Sequence, residues 1–293
     1  MGFRVVKVSS RCKLETQLNY LVCRSDKESR ILLDDIAVLL IENQQVCITT
    51  ALITELINHK IKVIFCDEKH NPSSELVPQH GAYNTYERLM MQMEWSKETK
   101  DLIWQNIIYQ KISNQAKILH SIGEDKAEEI LQGYLKEIEI GDVTNREGLA
   151  AKTYFAAMFG SNFDRRKDKD IRNTYLNYGY SMLLSSFNRE VSIAGYQCVI
   201  GIHHIGSENP FNFGCDLMEP FRPFVDRYII QKLVNENDYK KEFVNILNSN
   251  VSCDENLTIL ENAVHNYALS VFNALNSKSS EKISKVTFLD EQL

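Results

Sequence analysis

One change of hydrophobic period constrains the fold of this 293-residue chain more than any other feature. From Cys12 to Arg24 the residues alternate strictly, with Leu14, Thr16, Leu18, Tyr20 and Val22 on one side and Lys13, Glu15, Gln17 and Asn19 on the other. A period of two predicts a half-buried strand. Strand-like runs follow at Ile31 to Leu33, Ile36 to Ile41, Val46 to Ile48 and Lys62 to Cys66, with one helical insert from Thr50 to Asn58. Pro72 and Pro78 then punctuate a stiff, turn-forming segment. Beyond it the period becomes 3.6, in Trp104, Ile108, Ile112, Ala116 and Leu119, and again in Ala150, Ala151, Tyr154, Phe155, Met158 and Phe159. Further amphipathic stretches cover residues 84 to 95, 125 to 138, 173 to 195, 225 to 247 and 257 to 275. The chain therefore reads as α+β. It has a small β-rich domain over 1–75, a linker over 76–83 and a larger all-α domain over 84–293.

The composition, 44% hydrophobic and 25% charged, is that of an ordinary globular protein. No apolar run approaches the roughly 18 residues of a membrane-spanning helix, and the first residues lack the apolar stretch of a secretory signal. The seven cysteines form no CxxC pair, so neither a disulfide framework nor a zinc knuckle is expected. A cytoplasmic protein with reduced thiols is the expectation. The net charge of -6 opposes a nucleic-acid partner if taken alone. Its distribution is uneven, however. Residues 121–142 carry seven acids against two cations and residues 236–293 nine against five, whereas residues 145–189 carry eight cations against four acids. A single basic face is compatible with that pattern.

Three polar spots interrupt apolar surroundings. Glu147 follows Thr144 by three residues, which is the spacing of a capping box at a helix start. His203 and His204 end the apolar run Val199-Ile200-Gly201-Ile202, and tandem histidines point in different directions, so one at most serves a given site. Asp216 and Glu219 stand at i and i+3, where they share a helix face, converge on a cation or form another cap. Together these spots offer hard oxygens and one imidazole, a set suited to Mg²⁺ or Mn²⁺ and hence to phosphoryl chemistry. Pro210, Pro220 and Pro223 predict a rigid, irregular segment around the second and third spots.

In family order, the chain carries Leu33 to Glu42, Lys111-Ile-Ser-Asn-Gln-Ala116, Arg146 to Phe155 continuing to Phe159-Gly160 and Phe163, Leu176-Asn-Tyr-Gly-Tyr180, and Gly201-Ile-His-His204 leading to Asp216-Leu-Met-Glu-Pro-Phe-Arg222. In this combination it resembles the Cas1 family of CRISPR-associated adaptation integrases, in the form found beside type II, single-effector systems. The resemblance implies a metal set of Glu147, His204 and Glu219, with Asp216 as a second-ranked carboxylate. His204 is preferred to His203 because the family histidine ends a Gly-apolar-x-His unit.

The same resemblance implies a bacterial protein that joins the 3'-OH ends of short duplex DNA fragments to a CRISPR repeat by metal-dependent transesterification. It also implies a homodimer formed through the β-rich domain, two such dimers flanking a Cas2 dimer, and further type II adaptation partners. Lys152, Arg165, Arg166, Lys167, Arg172, Arg189 and Arg222 are the cations expected to hold the DNA backbone, although a solvated charge run explains Arg165 to Asp170 equally well. Two rival readings use the same residues: a stand-alone metal-dependent nuclease on branched or duplex DNA, and a non-catalytic DNA-bending scaffold whose acids merely cap helices. A helical metabolic enzyme is disfavoured because no glycine-rich phosphate or cofactor motif is present.

Overall fold

Why the chain divides into strands and then helices is visible in a computed structural model, which describes residues 4–68, 72–76, 84–167, 170–232, 243 and 245–289. Among the described residues, eight strands precede the long helices: β1 (Arg4–Val8), β2 (Lys13–Gln17), β3 (Tyr20–Arg24), β4 (Glu28–Leu32), β5 (Ile36–Ile41), β6 (Cys47–Ile48), β7 (Lys62–Cys66) and β8 (Pro72–Glu75), with α1 (Thr50–Asn58) between β6 and β7. One sheet runs β1-β5-β7-β8 and the other β4-β3-β2-β6. In the first, β5 pairs in parallel with both β1 and β7. All six residues of β5 are buried, as expected of a central parallel strand covered on both faces. Leu39 and Ile41 pack with Leu14, Leu21, Leu52 and Leu56 toward the second sheet and α1, while Val38 and Leu40 join the helical core. The strand region and the helices thus share a continuous interior.

The alternating segment from Cys12 to Arg24 is not one strand. Leu18 and Asn19 both take positive φ, 48° and 64°, and turn the chain into a two-residue hairpin. Such turns match the twist of the flanking strands. The turn puts Leu14 opposite Cys23 and Thr16 opposite Leu21. Opposed residues share a face, so Tyr20 and Val22 leave the face of Leu14 that simple alternation gives them.

Among the described residues, the helices that follow are α2 (Thr85–Met93), α3 (Lys97–Ser121), α4 (Asp125–Leu135), α5 (Arg146–Phe159), α6 (Ile171–Ile193), α7 (Asn212–Met218), α8 (Arg222–Lys232) and α9 (Leu260–Ser277). Ser96 caps α3 by accepting from the Thr99 N–H. The helix then runs 25 residues through the centre of the core, with Ile103, Trp104, Ile107, Ile108, Ile112, Ala116 and Leu119 buried. The region past residue 84 is not wholly helical. Strands β9 (Asn250–Cys253), β10 (Asn256–Ile259) and β11 (Val286–Thr287) form a small antiparallel sheet. The stretch predicted as helix from 257 therefore begins as strand, and the helix starts at Leu260. Most of the expected linker, residues 77–83, and the middle of the helix expected over 225–247, residues 233–242, lie outside the described residues.

Candidate metal centre

The floor of the site is the middle of α3. Lys111 lies two turns beyond Trp104 and so shares its face. The Lys111 ammonium donates to Glu147 Oε1 at 2.6 Å and to Glu219 Oε2 at 2.5 Å. Two carboxylates separated by more than seventy positions in the chain thereby meet on one cation. Lys111 opens the family-like segment Lys111 to Ala116, but no spacing in the sequence assigns it a role. The available signal was a lysine one turn past Ile108, on the face of α3 that its apolar residues bury.

Glu147 is free for this because the capping-box expectation is wrong. The cap of α5 is Asn145, in the left-handed region at φ 52°, whose side chain accepts from the Gly148 N–H. Asp142 accepts from the N–H groups of Arg146 and Glu147 at 2.8 and 3.0 Å. Between them these two side chains satisfy the helix start. The Glu147 carboxylate is left to point across to α3.

Glu219 opens a 3-10 turn, Glu219–Phe221, between α7 and α8, and is buried. Pro220 fits because first-turn N–H groups have no helical partner. Asn114, one turn past Lys111, donates to the carbonyls of Pro220 and Val286 at 3.0 and 2.9 Å and so pins this turn to α3. Arg222 donates from Nε to Glu219 Oε1 at 2.8 Å and lies 4.5 Å from the Tyr180 ring centroid. Burial alone would raise the pKa of Glu219, but Arg222 and Lys111 outweigh it and hold the carboxyl near a pKa of about 2. Burial likewise opposes the charge on Lys111, and the two carboxylates more than offset it, raising its pKa.

The two histidines diverge as expected, with ring planes 88° apart. His203 stacks flat on Trp104 with centroids 4.2 Å apart. His204 turns its Nδ1 to Asp216 Oδ1 at 2.5 Å, and this bond raises its pKa. With Nδ1 so engaged, Nε2 is the nitrogen left for a ligand. Asp216, the second-ranked ligand by sequence, stands behind the histidine instead. Its oxygens also accept from the N–H groups of Ile202, His203 and His204 at 2.5, 3.0 and 3.0 Å, so it shapes the loop and aims the imidazole.

The expected DNA cations separate into two groups. Lys152, Arg166 and Lys167 are exposed, with Arg166 paired to Asp164 at 3.1 Å. Arg189 is not a surface residue. It is buried, donating to the carbonyl of Lys60 and to Glu190 and Glu261, so it ties the strand region to α6 and α9. Arg172 is held by Asp170 and the Phe159 carbonyl, and Arg165 by Asn173 and Asn177. Arg222 serves Glu219 directly. Counting charges along 145–189 missed this because the count cannot tell a solvated guanidinium from one spent inside the fold.

The donor set fits a hard divalent cation. It offers two carboxylates and one imidazole, and a positive group already sits between the acids. Among the described residues, one group brings three metal-type ligand atoms within 4.8 Å of one another, namely His120, Asp125 and Glu128 at the junction of α3 and α4. Glu147, His204 and Glu219 form a wider set than that.

The family model described as CRISPR associated protein Cas1 matches residues 6–259. The CRISPR-associated endonuclease Cas1 of Neisseria meningitidis serogroup C is 35% identical over 231 residues, 78% of this chain and 76% of the relative. Among solved structures, a casposase bound to integration product superposes with a TM-score of 0.75 at 20% identity, covering 96% of this chain and 92% of that one. A Cas6-RT-Cas1–Cas2 complex gives 0.75 at 19% identity, covering 98% of this chain and 36% of that one. These last two speak for the fold. A family match across most of the length, together with a relative of 35% identity, shows that this chain belongs to the Cas1 family of CRISPR-associated proteins.

Proposed function

We propose that the chain is a metal-dependent DNA integrase of CRISPR adaptation, with Glu147, His204 and Glu219 holding Mg²⁺ or Mn²⁺. The observation that carries this reading is the meeting of Glu147 and Glu219 on Lys111, beside an imidazole aimed by Asp216. The bound cation supplies Lewis-acid polarisation of a phosphodiester and stabilises charge on the attacking or departing oxygen. In the reaction a 3'-OH attacks a phosphodiester of the repeat and displaces another 3'-oxygen. One P–O bond forms as one breaks, the proton passes to the leaving oxygen through solvent, and no ATP is needed.

The protein's own residues orient and position. Arg222 and Asn114 fix Glu219, Asp142 and Asn145 fix the start of α5, and Asp216 fixes His204. Exposed Lys152, Arg166 and Lys167 lie C-terminal to Glu147 along and beyond α5 and suit the DNA backbone. The partners proposed are duplex DNA and Cas2, in keeping with the likeness to a Cas1–Cas2 assembly and to a casposase on its integration product. The strand region is proposed as the homodimer interface, the linker as the boundary between it and a catalytic region over 84–293, and the type II form as the setting.

An integration assay with Cas2 and a fragment bearing 3'-OH ends tests the reading. Glu147→Ala is expected to abolish joining while the protein stays folded, and wild-type joining by that variant would refute the assignment. Running joining and cutting side by side on the same DNA separates integration from hydrolysis by water at the same site, and joining that survives chelation would favour the scaffold reading.

A further inference from the structure

The proposed site carries its own cation. Lys111 is buried and donates to both carboxylates, and Arg222 donates to one of them. Two negative charges thus face two positive charges, and the cluster is neutral without any metal. A dication entering that arrangement unchanged would leave an excess of positive charge in a poorly solvated place, which is strongly unfavourable. Something must give way. Arg222 is anchored by stacking on Tyr180 as well as by Glu219. The Lys111 side chain reaches the acids along a flexible four-carbon stem, so its ammonium is the mobile charge.

We infer that Lys111 is the resident counter-cation of this site: its ammonium holds Glu147 and Glu219 together in the metal-free protein and competes with the divalent cation for the same two carboxylates. The inference rests on the proposed metal role of those acids and adds a residue to it. Lys111 is a positioning residue. Without it the metal-free protein keeps two carboxylates directed at one gap with a single arginine to compensate them, a state that folds less readily but binds a dication more readily.

The test uses the full chain, with MnCl₂ as the probe in calorimetric titrations and thermal melts. Lys111→Met, close in length and uncharged, is expected to bind Mn²⁺ about tenfold tighter than wild type. It is also expected to melt lower than wild type without metal and to recover most of that loss at saturating Mn²⁺. Equal or weaker Mn²⁺ affinity, or a melting deficit that saturating Mn²⁺ leaves in place, overturns the inference and makes Lys111 a structural residue only. Glu147→Gln separates the two levels of the argument. If wild type binds Mn²⁺ and Glu147→Gln does not, the metal reading stands whatever Lys111→Met shows. If Glu147→Gln leaves Mn²⁺ binding unchanged, the metal lies elsewhere and both statements fall. Should Lys111→Met fail to fold, Lys111→Met/Glu147→Gln removes one of the opposed charges. Recovery of a cooperative melt supports the counter-cation role, and no recovery contradicts it.

Discussion

Gly201 shows how tightly single residues set the histidine. A Cβ at this position would lie 2.5 Å from the His204 carbonyl oxygen and 2.7 Å from Asp216 Oδ2, so Gly201→Ala must push the loop off the carboxylate that orients it. The expected outcome is loss of joining, with a stability cost of about 1–3 kcal/mol seen in denaturant melts. His204→Ala is expected to abolish joining, whereas His203→Ala removes only the stack on Trp104 and retains the chemistry; equal loss in both would contradict the division of labour. A pH effect belongs to His265, whose Nδ1 lies 2.7 Å from Glu190 Oε2, a bond that raises its pKa above the usual 6.5. A raised folded pKa stabilises fully below the unfolded value, and the benefit is lost as pH rises through the folded value. The melting gap between wild type and His265→Gln is therefore expected to be widest at about pH 5.5 and to shrink as pH rises past that folded value. A constant gap would exclude the ion pair as its source. At this scale family resemblance pointed to Glu147, His204 and Glu219, and the structure brings Glu147 and Glu219 onto Lys111. Their supports were not legible in the sequence, because Asn145 in a left-handed cap and Asp216 behind His204 are settled by backbone geometry that no spacing rule encodes.

Among the elements, α3 is the support of the site, supplying Lys111 and Asn114 but none of the three proposed ligands, and Asn114 is its most informative position. Its amide donates to two carbonyls in the interior, of Pro220 and Val286. Asn114→Ala is expected to cost about 1–3 kcal/mol in chemical denaturation and to weaken Mn²⁺ binding by loosening the turn that presents Glu219. A variant as stable as wild type would show that the turn holds without this tie. The helix itself was plain in the sequence, since Trp104 to Leu119 keep one period for four turns. The hairpin at Leu18-Asn19 was hidden because it has no glycine, and a two-residue turn lets the alternation run on unbroken. The sheet of β9, β10 and β11 was hidden for another reason. Its strands are two to four residues long, too short for a period to register beside a long helix.

Over the whole molecule, charge does two jobs that a net value of -6 merges. Arg189 is structural: its side chain is 8% exposed, and its loss removes the guanidinium that both Glu190 and Glu261 accept from in the interior. Arg189→Gln is expected to cost about 3–5 kcal/mol of folding stability. Arg166 and Lys167 are exposed, and reversing both charges is expected to leave the melt unchanged while flattening the salt dependence of fragment binding. An unchanged salt slope would remove them from the DNA surface. The α+β order was legible from the change of period, but the continuity of the interior was not. Val38, Leu40 and Ile64 join the helical core from the strand region, and only a sheet covered on both faces reveals that. The proposal that spans all three scales is that Glu147, His204 and Glu219 hold a divalent cation. Anomalous diffraction from a crystal soaked in MnCl₂ tests it most directly. The account predicts a manganese peak bounded by those three side chains, with Lys111 Nζ drawn away from at least one carboxylate; a peak confined to other acids such as Asp125 and Glu128 would contradict it.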